Sequence, residues 1–246
     1  MTNFIQTLKN LKYMISTHSD GRMIAKTTRD VQEHQLDGLD LKGVILSTND
    51  SGTHVVAPGC NVPLEEPNAK ATISGYSTGR DGIMYRFYQY QGEWTVSTSG
   101  RIVPDTFWGP KGTPTFQELV QQAVTDKLVD YSKLVPGYCY YAILETPDFT
   151  NLVKHDELRL TLVDMIDVRT GVRRPLDQDE GFTEHLELLE HQPEIKPSEG
   201  LIEGNLGFAV HYSDGSSYRE WSVPFHRASE LRPNLSDPIR QWIALR

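Results

Sequence analysis

Short apolar runs separated by turn-forming residues dominate the chain, and they predict a protein built largely of β-hairpins. Two hairpins are predicted near the start, with turns at residues 19–21 and 49–52. Both turns are rich in Asn, Asp, Ser and Gly, which favour tight turns. A third hairpin is predicted over residues 206–223, around the turn Ser213-Asp214-Gly215-Ser216.

The central hairpin, residues 79–102, carries the strongest pattern. Its two strands are dense in Ile, Val, Tyr, Phe and Trp, which are typical of half-buried strands. Gln91-Gly92 lies where a short turn is needed. Two further strands are predicted at residues 138–144 and 158–168, where apolar residues recur.

Helical spacing of apolar residues predicts helices over residues 2–12 and from residue 116 to about 131. Thr115 and Glu118 have the spacing of a capping box at the start of the second helix. Residues 183–191 and 238–245 are also predicted to be helical. The Glu187–His191 spacing can bind metal on a helix, but no third ligand is evident, so we predict no metal site.

Composition limits the classes of protein to consider. The chain has 246 residues, with 38% hydrophobic and 23% charged residues, as expected of a globular protein. No apolar run is long enough to span a membrane, and the N-terminus lacks the pattern of a signal peptide. Two cysteines form no disulfide framework, so an intracellular, cytoplasmic location is expected. A net charge of −9 means that any nucleic-acid binding requires a local basic groove.

The central hairpin resembles the nucleotide-binding core of covalent nucleotidyltransferases, in particular RNA ligases of phages and giant viruses. In that family a Lys-x-Asp-Gly motif precedes an Arg-bearing strand, a turn ending in Trp, and a Ser/Thr-Arg-Gly-like segment. The nucleophilic lysine lies two residues before the Asp, and this chain has Gly79 there. The matching residues, in order, are Asp81-Gly82, Arg86, Gly92-Glu93-Trp94 and Thr98-Ser99-Gly100-Arg101.

Later segments of the chain continue the resemblance, with further departures. The family's ribose-binding Glu corresponds to Ile143, and Glu145 lies on the same face only if the strand persists. Glu203-Gly204 matches the start of the fourth motif. In the Lys-x-Lys of the fifth motif, Arg219 takes the first lysine position and Trp221 the second.

The resemblance covers roughly residues 40–240 and implies an α+β fold. Antiparallel sheets would form an adenylation-domain, ATP-grasp-like cleft with flanking helices. We expect residues 1–246 to form a single RNA ligase-like domain, in which residues 1–38 are a possible N-terminal accessory segment. The family uses ATP and Mg²⁺, and a viral or phage source is implied only by the resemblance.

The expected nucleotide- or phosphate-binding residues follow from these matches, while the catalytic residue is unknown. A glycine cannot perform the covalent step, so the leading hypothesis is a pseudoenzyme that binds a nucleotide or an RNA end without an adduct. An active nucleotidyltransferase with a relocated lysine is a second hypothesis, and a structural or interaction protein that reuses the fold is a third. The expected binding residues are Asp81, Gly82, Arg86, Arg101, Glu203 and Arg219; the candidate replacement lysines are Lys26, Lys70 and Lys111.

Aromatic side chains offer a second kind of nucleotide contact, since bases stack on them. Each has an alternative as a core or loop anchor, and for Trp94 the core is the better prediction. Cys60 and Cys139 show no nucleophile signature. The aromatic candidates for base stacking are Tyr76, Tyr88, Phe107 and Trp108.

Overall fold

The computed structural model describes the parts of the chain that carry the predicted hairpins. The chain forms two compact units, each assembled from several segments. The first unit contains residues 1–62, 82–149 and 155–186, and the second contains residues 63–81, 150–154 and 187–246. The described residues are 4–27, 35–36, 39–60, 68–106, 113–148, 155–174, 176, 181–186, 189–190, 207–213 and 216–221.

The first sheet of the first unit contains the two predicted N-terminal hairpins. Its strand order is β1-β2-β5-β6, with antiparallel neighbours throughout. The Asn49 side chain accepts hydrogen bonds from the backbone and hydroxyl of Ser51, which fixes the β5–β6 turn. A two-stranded pair, β3–β4, lies between these hairpins in sequence. The strands are β1 (Met14–Thr17), β2 (Met23–Lys26), β3 (Gln35–Leu36), β4 (Leu39–Asp40), β5 (Ile45–Asn49) and β6 (Gly52–Ala57).

The second sheet of the first unit is built on the central hairpin. Its order is β12-β11-β10-β8-β9, and every pair except β11–β12 is antiparallel. Gln91 and Gly92 both have positive φ, 53° and 85°, as a tight hairpin turn requires. The central hairpin is therefore confirmed. The strands are β8 (Ile83–Tyr90), β9 (Glu93–Thr98), β10 (Tyr138–Glu145), β11 (Arg159–Asp167) and β12 (Glu184–His185).

Two helices occur in the described ranges, α1 (Phe4–Asn10) and α2 (Phe116–Thr125). The predicted capping box of α2 is present, since Thr115 and Glu118 satisfy each other's backbone N–H groups. The helix ends earlier than predicted, because the chain turns at Lys127, which has a positive φ of 57°. The predicted helix at 238–245 lies outside the described residues.

Four layers, α1, the first sheet, the second sheet and α2, make up the core of the first unit. Leu8 of α1 packs on one face of the first sheet, and the opposite face, with Ile24 and Ile45, packs on the second sheet. The far face of the second sheet, which includes Phe87, packs against Leu119 and neighbouring apolar residues of α2. The predicted class of antiparallel sheets with outer helices is thus confirmed in this coarse form, with few helices.

The second unit contains one described sheet, in the order β13-β7-β14-β15, with antiparallel pairing. The predicted hairpin over residues 206–223 is present as β14–β15. The predicted helix at 183–191 is wrong, because β12 and β13 occupy that region. Pairing of β12 with β11 and of β13 with β7 overrides the local helical pattern. The strands are β7 (Ile73–Thr78), β13 (Leu189–Glu190), β14 (Gly207–Tyr212) and β15 (Ser217–Trp221).

Candidate functional site

The segment between β7 and β8 contains the residues that correspond to the first ligase motif. Gly79, at the position expected for lysine, donates its backbone N–H to the Gly207 carbonyl at 2.7 Å. A Cβ at Gly79 would lie 3.1 Å from that oxygen, closer than an ordinary contact. Asp81 is buried, with 6% of its surface exposed. The main chain at Gly79 thus extends the pairing of β7 with β14, and no side chain projects from it.

Gly82 fits its place only because it lacks a side chain. A Cβ there would lie 2.5 Å from the Leu144 carbonyl oxygen and 2.6 Å from Ile143 Cγ2. Such distances are well inside van der Waals contact, so a larger residue would push β8 and β10 apart. Close packing of two strands accounts for the glycine of the Asp-Gly pair.

Arg86 lies at the centre of β8 and is 0% exposed. Its Nη1 donates to the carbonyls of Gly43 at 2.5 Å and Pro58 at 2.9 Å, and its Nη2 donates to the carbonyl of Thr98 at 2.7 Å. These acceptors lie on the loop before β5, the loop after β6 and the end of β9. Arg86 therefore ties the first sheet to the second, and its role as a phosphate ligand remains a prediction.

Arg101 has a different environment in the same unit. Its side chain is 55% exposed, and Nη1 lies 3.8 Å from the Asp105 carboxylate. The backbone carbonyl of Arg101 accepts a hydrogen bond from the Thr98 N–H at 3.0 Å, which closes the turn after β9. Of the two arginines predicted in this unit, Arg101 is thus accessible and Arg86 is enclosed.

The region that the resemblance matches to the third motif is a β-strand, β10, over its whole length. Ile143, at the position of the expected ribose-binding carboxylate, pairs with Met84 of β8. Strand β10 continues to Glu145, which is buried and pairs with Arg159 of β11. Because the strand persists, the Glu145 side chain projects from the same face as Ile143. It lies two residues further along β10 than the position expected for the carboxylate.

Arg219 lies on β15 in the second unit, directly opposite Ala209, and Ala209 pairs in turn with Ser77 of β7. Directly opposed residues project from the same face of a sheet, so Arg219 and Ser77 share a face. On that face Ser77 Oγ and His211 Nε2 are hydrogen-bonded at 2.8 Å. Burial lowers the pKa of the Arg219 guanidinium.

The candidate replacement lysines have separate surroundings. Lys26 ends β2 and is partly buried, whereas Lys70 is exposed in the turn before β7. Lys111, Glu203, Phe107 and Trp108 lie outside the described residues. Nothing is described for the side chain of Trp221, the last residue of β15.

The described aromatic and cysteine candidates lie mainly in the core. Trp94 packs edge-on against Tyr140 with 5.9 Å between ring centres, which confirms the core prediction for Trp94. Tyr88 is fully buried, and Tyr76 is partly buried on β7. Both cysteines are buried with free thiols, and burial raises the pKa of the Cys139 thiol to about 12. A thiol with this pKa stays protonated near neutral pH, so it is a poor nucleophile.

A partly buried polar cluster in the first unit was not anticipated from the sequence. Arg22 donates to Tyr88 Oη at 2.7 Å and to Asp20 at 2.8 Å, and its guanidinium lies 4.8 Å from the Tyr90 ring centre. Burial alone would raise the pKa of Asp20, but the hydrogen bonds from Arg22 outweigh it and hold the pKa well below its usual range. The cluster joins the β1–β2 turn to β8, and the only sequence signal for it was a charged residue after a turn.

Within the described part of the chain, no group of three or more His, Cys, Asp or Glu residues could hold a metal ion. Neither α1 nor α2 is long and apolar enough to cross a membrane.

Comparison with known proteins adds information on the fold. No protein-family model matches the chain, and no curated protein matches it. An archaeal ATP-dependent RNA ligase aligns over 98% of this chain and 68% of that chain, with 14% identity and a TM-score of 0.61. A protein from Aquifex aeolicus assigned as an ATP-dependent DNA ligase aligns over 98% of this chain and 70% of its own, with 13% identity and a TM-score of 0.53. The chain therefore has a fold similar to that of ATP-dependent RNA and DNA ligases.

Proposed function

We propose that this protein binds a nucleotide or an RNA end on a ligase-type fold without forming a covalent enzyme–nucleotide adduct. Gly79 carries the proposal. Ligases of the resembling family attack the α-phosphate of ATP with a lysine amine, and the corresponding residue here offers only a backbone N–H. That N–H is already bonded to the Gly207 carbonyl. Formation of an adduct at this residue is chemically impossible.

Charged side chains of the second unit support binding without the covalent step. Arg219 is partly buried on a face that also presents His211, held by Ser77. A guanidinium can donate two parallel hydrogen bonds to a phosphate, and its attraction to an anion increases where water is partly excluded. We assign phosphate contact to Arg219, and ribose contact to Asp81 by resemblance.

The residues of the first unit divide into two groups under this proposal. Arg101 is exposed, and its contact with a phosphate remains a prediction from the resemblance. Gly82 permits the close packing of β8 on β10, and it acts through the backbone. Arg86 remains a prediction from the resemblance, as does Glu203, which belongs to the second unit and lies outside the described residues.

The described residues fit the phosphates of ATP better than they fit Mg²⁺. The phosphates of ATP suit the Arg219 guanidinium, whereas the described residues supply neither a nucleophilic amine at Gly79 nor a cluster of three metal ligands. We therefore assign no chemical step to the metal. What the chain's own residues do is bind and orient the phosphates.

The test combines intact-mass spectrometry with calorimetric titration of ATP, GTP and a 5′-phosphorylated RNA. We expect measurable binding without a mass gain. Arg219→Met should weaken binding about tenfold or more, since it removes a charge-assisted contact. Arg159→Met is the matched control, because Arg159 is also on a strand but is exposed and paired with Glu157.

Two outcomes would contradict the proposal. Absence of affinity for all three ligands would favour a structural or interaction protein. A mass gain of one nucleoside monophosphate, abolished by replacing Lys26, Lys70 or Lys111, would establish an active nucleotidyltransferase with a relocated nucleophile.

A further inference from the structure

A surface cavity of about 450 Å³ lies within the first unit, where the β5–β6 hairpin meets the ends of β8 and β10. We call it the hairpin pocket. Its volume is within the range of about 300–1,000 Å³ typical of small-ligand sites. Asn49 and His54 border it from the hairpin, Gln89 and Tyr90 from β8, and Tyr138 from β10.

The hairpin pocket is separate from the residues predicted to bind nucleotide in this unit. Gly82 precedes the first residue of β8, and Gln89 and Tyr90 are its last two. A strand rises about 3.3 Å per residue, so roughly 23 Å separates the two ends of β8. Arg86 is nearer on the same strand but is fully buried, so a ligand in the hairpin pocket would occupy a second site.

The lining of the hairpin pocket suits the uncharged part of a ligand. None of the described residues that line the pocket is Asp, Glu, Lys or Arg. Three of them carry carboxamides, Asn49, Gln89 and Gln91, and three carry rings, His54, Tyr90 and Tyr138. An uncharged, planar group with hydrogen-bonding edges matches this combination, because amides pair with such edges and rings stack on their faces.

Hydrogen bonds in the adjacent turns leave part of each amide available. Asn49 uses Oδ1 to accept from Ser51, and Gln89 uses Nε2 to donate to the Gly92 carbonyl at 2.9 Å. Within the described part of the chain, Asn49 Nδ2 and Gln89 Oε1 make no hydrogen bond. One donor and one acceptor thus remain, on two side chains that both line the pocket, and a base edge such as adenine N7 and N6 offers an acceptor and a donor to match them.

Cations lie at one edge of the pocket. The Arg174 guanidinium is 4.5 Å from the centre of the Tyr138 ring, and Arg169 follows Val168, another lining residue. Both arginines are exposed. Arg174, over the ring of a lining residue, is placed to attract the phosphate of a nucleotide whose base enters the pocket, since arginine binds phosphate readily at a surface, and Arg169 adds a second cation next to Val168 in the chain.

We propose that the hairpin pocket binds the base of a nucleotide unit, with its amides and rings on the base and Arg174 and Arg169 near the phosphate. The unit can be a free mononucleotide or one residue of a single strand. This proposal does not depend on the nucleotide site described above, because no residue is shared.

Anisotropy titrations with labelled oligoadenylate of eight nucleotides test the proposal. His54→Ala and Arg174→Ala should each weaken binding at least fivefold, and an octamer of abasic ribose phosphates should bind at least tenfold more weakly than oligoadenylate. Both variants change exposed side chains, and Arg159→Ala is the control for loss of one exposed arginine. A titration with AMP in place of the octamer distinguishes a free nucleotide from a strand as the natural ligand. If His54→Ala weakens the binding of AMP as much as that of the octamer, the ligand is a free nucleotide. If it weakens only the binding of the octamer, the ligand is a single strand.

A measurement on the unmodified protein supplements the variants. Addition of AMP or the octamer should shift the side-chain amide NMR signals of Asn49 and Gln89 more than that of Gln6, an exposed amide on α1. Equal affinities for abasic and normal octamers, or unchanged affinity in both variants, would overturn the proposal. In the Arg219→Met background ATP binding should fall while binding of an octamer without terminal phosphates persists, so failure of either proposed site is visible separately.

Discussion

Replacement of Arg86 by methionine tests whether this arginine supports the fold or binds a ligand. Methionine retains a long apolar side chain but removes three hydrogen bonds, to the carbonyls of Gly43, Pro58 and Thr98. A hydrogen bond from a charged donor contributes about 1.5–3 kcal/mol, and each buried acceptor left without a partner costs about 1–3 kcal/mol. Removal of a buried charge recovers part of that loss.

The net expectation is that Arg86→Met lowers the free energy of unfolding by about 3–5 kcal/mol, a large share of the stability of an ordinary domain. Arg86→Lys should be intermediate, because one ammonium nitrogen cannot reach acceptors that Arg86 contacts through two separate nitrogens. The measurement is urea unfolding followed by tryptophan fluorescence and circular dichroism, with the slope of the transition compared among variants.

Arg101→Met is the matched control. Arg101 is 55% exposed and its nearest described partner, Asp105, is 3.8 Å away, so the change should alter stability by no more than about 0.5 kcal/mol. An Arg86→Met protein within 1 kcal/mol of wild type would refute the structural reasoning, as about 3 kcal/mol is the least expected. If that variant also lost nucleotide binding, Arg86 would instead act as the phosphate ligand that the resemblance predicts.

Two further predictions concern packing and pH. Gly82→Ala should destabilise the protein by about 1–3 kcal/mol in the same unfolding assay, because its Cβ would lie 2.5 Å from the Leu144 carbonyl. Gly100→Ala, where a Cβ meets nothing within 4 Å, should be nearly neutral, and equal effects would contradict the packing argument. Since the Asp20 pKa is depressed in the folded protein, its contribution to stability should be present above the ordinary value of 3.8 and lost as the pH falls further. Thermal melting across that range should show a steeper loss for wild type than for Asp20→Asn, and parallel profiles would contradict the role of Arg22.

Elements of the fold could be predicted from the sequence where the residues that determine them lie within the element itself. The turn at Gln91-Gly92 could be predicted because the residues that need positive φ are themselves in the turn. The failure at residues 183–191 has a nonlocal cause. There, the Leu186 N–H donates to the Leu162 carbonyl at 2.7 Å, and Glu184 pairs with Thr161. The spacing of apolar residues within this segment does not reveal these distant partners. Pairing with them outweighs the weak local preference for helix.

For single residues of the candidate site, too, the sequence predicted the residue type but not the contacts made with distant parts of the chain. The sequence identified Arg86 as a cation on a central strand, but its burial and its carbonyl acceptors depend on loops up to 43 positions away in the chain. Gly79 is the opposite case, because the missing side chain is evident from the residue type alone. The amide-lined hairpin pocket was missed because its parts look like ordinary turn and strand-end residues.

The pairing of β7 has a consequence for how the protein is made. Thr78 on β7 pairs with Phe208 on β14, about 130 residues later, and the other neighbour, β13, is also distant. During synthesis β7 leaves the ribosome well before either partner exists, so its edges stay open while β8, β9 and β10 are still being added. A chain that stops before residue 207 would keep β7 without its β14 partner, and unpaired strand edges promote aggregation. Nonsense or truncated forms should therefore accumulate as insoluble protein, even though every residue of the β8–β9 hairpin is present.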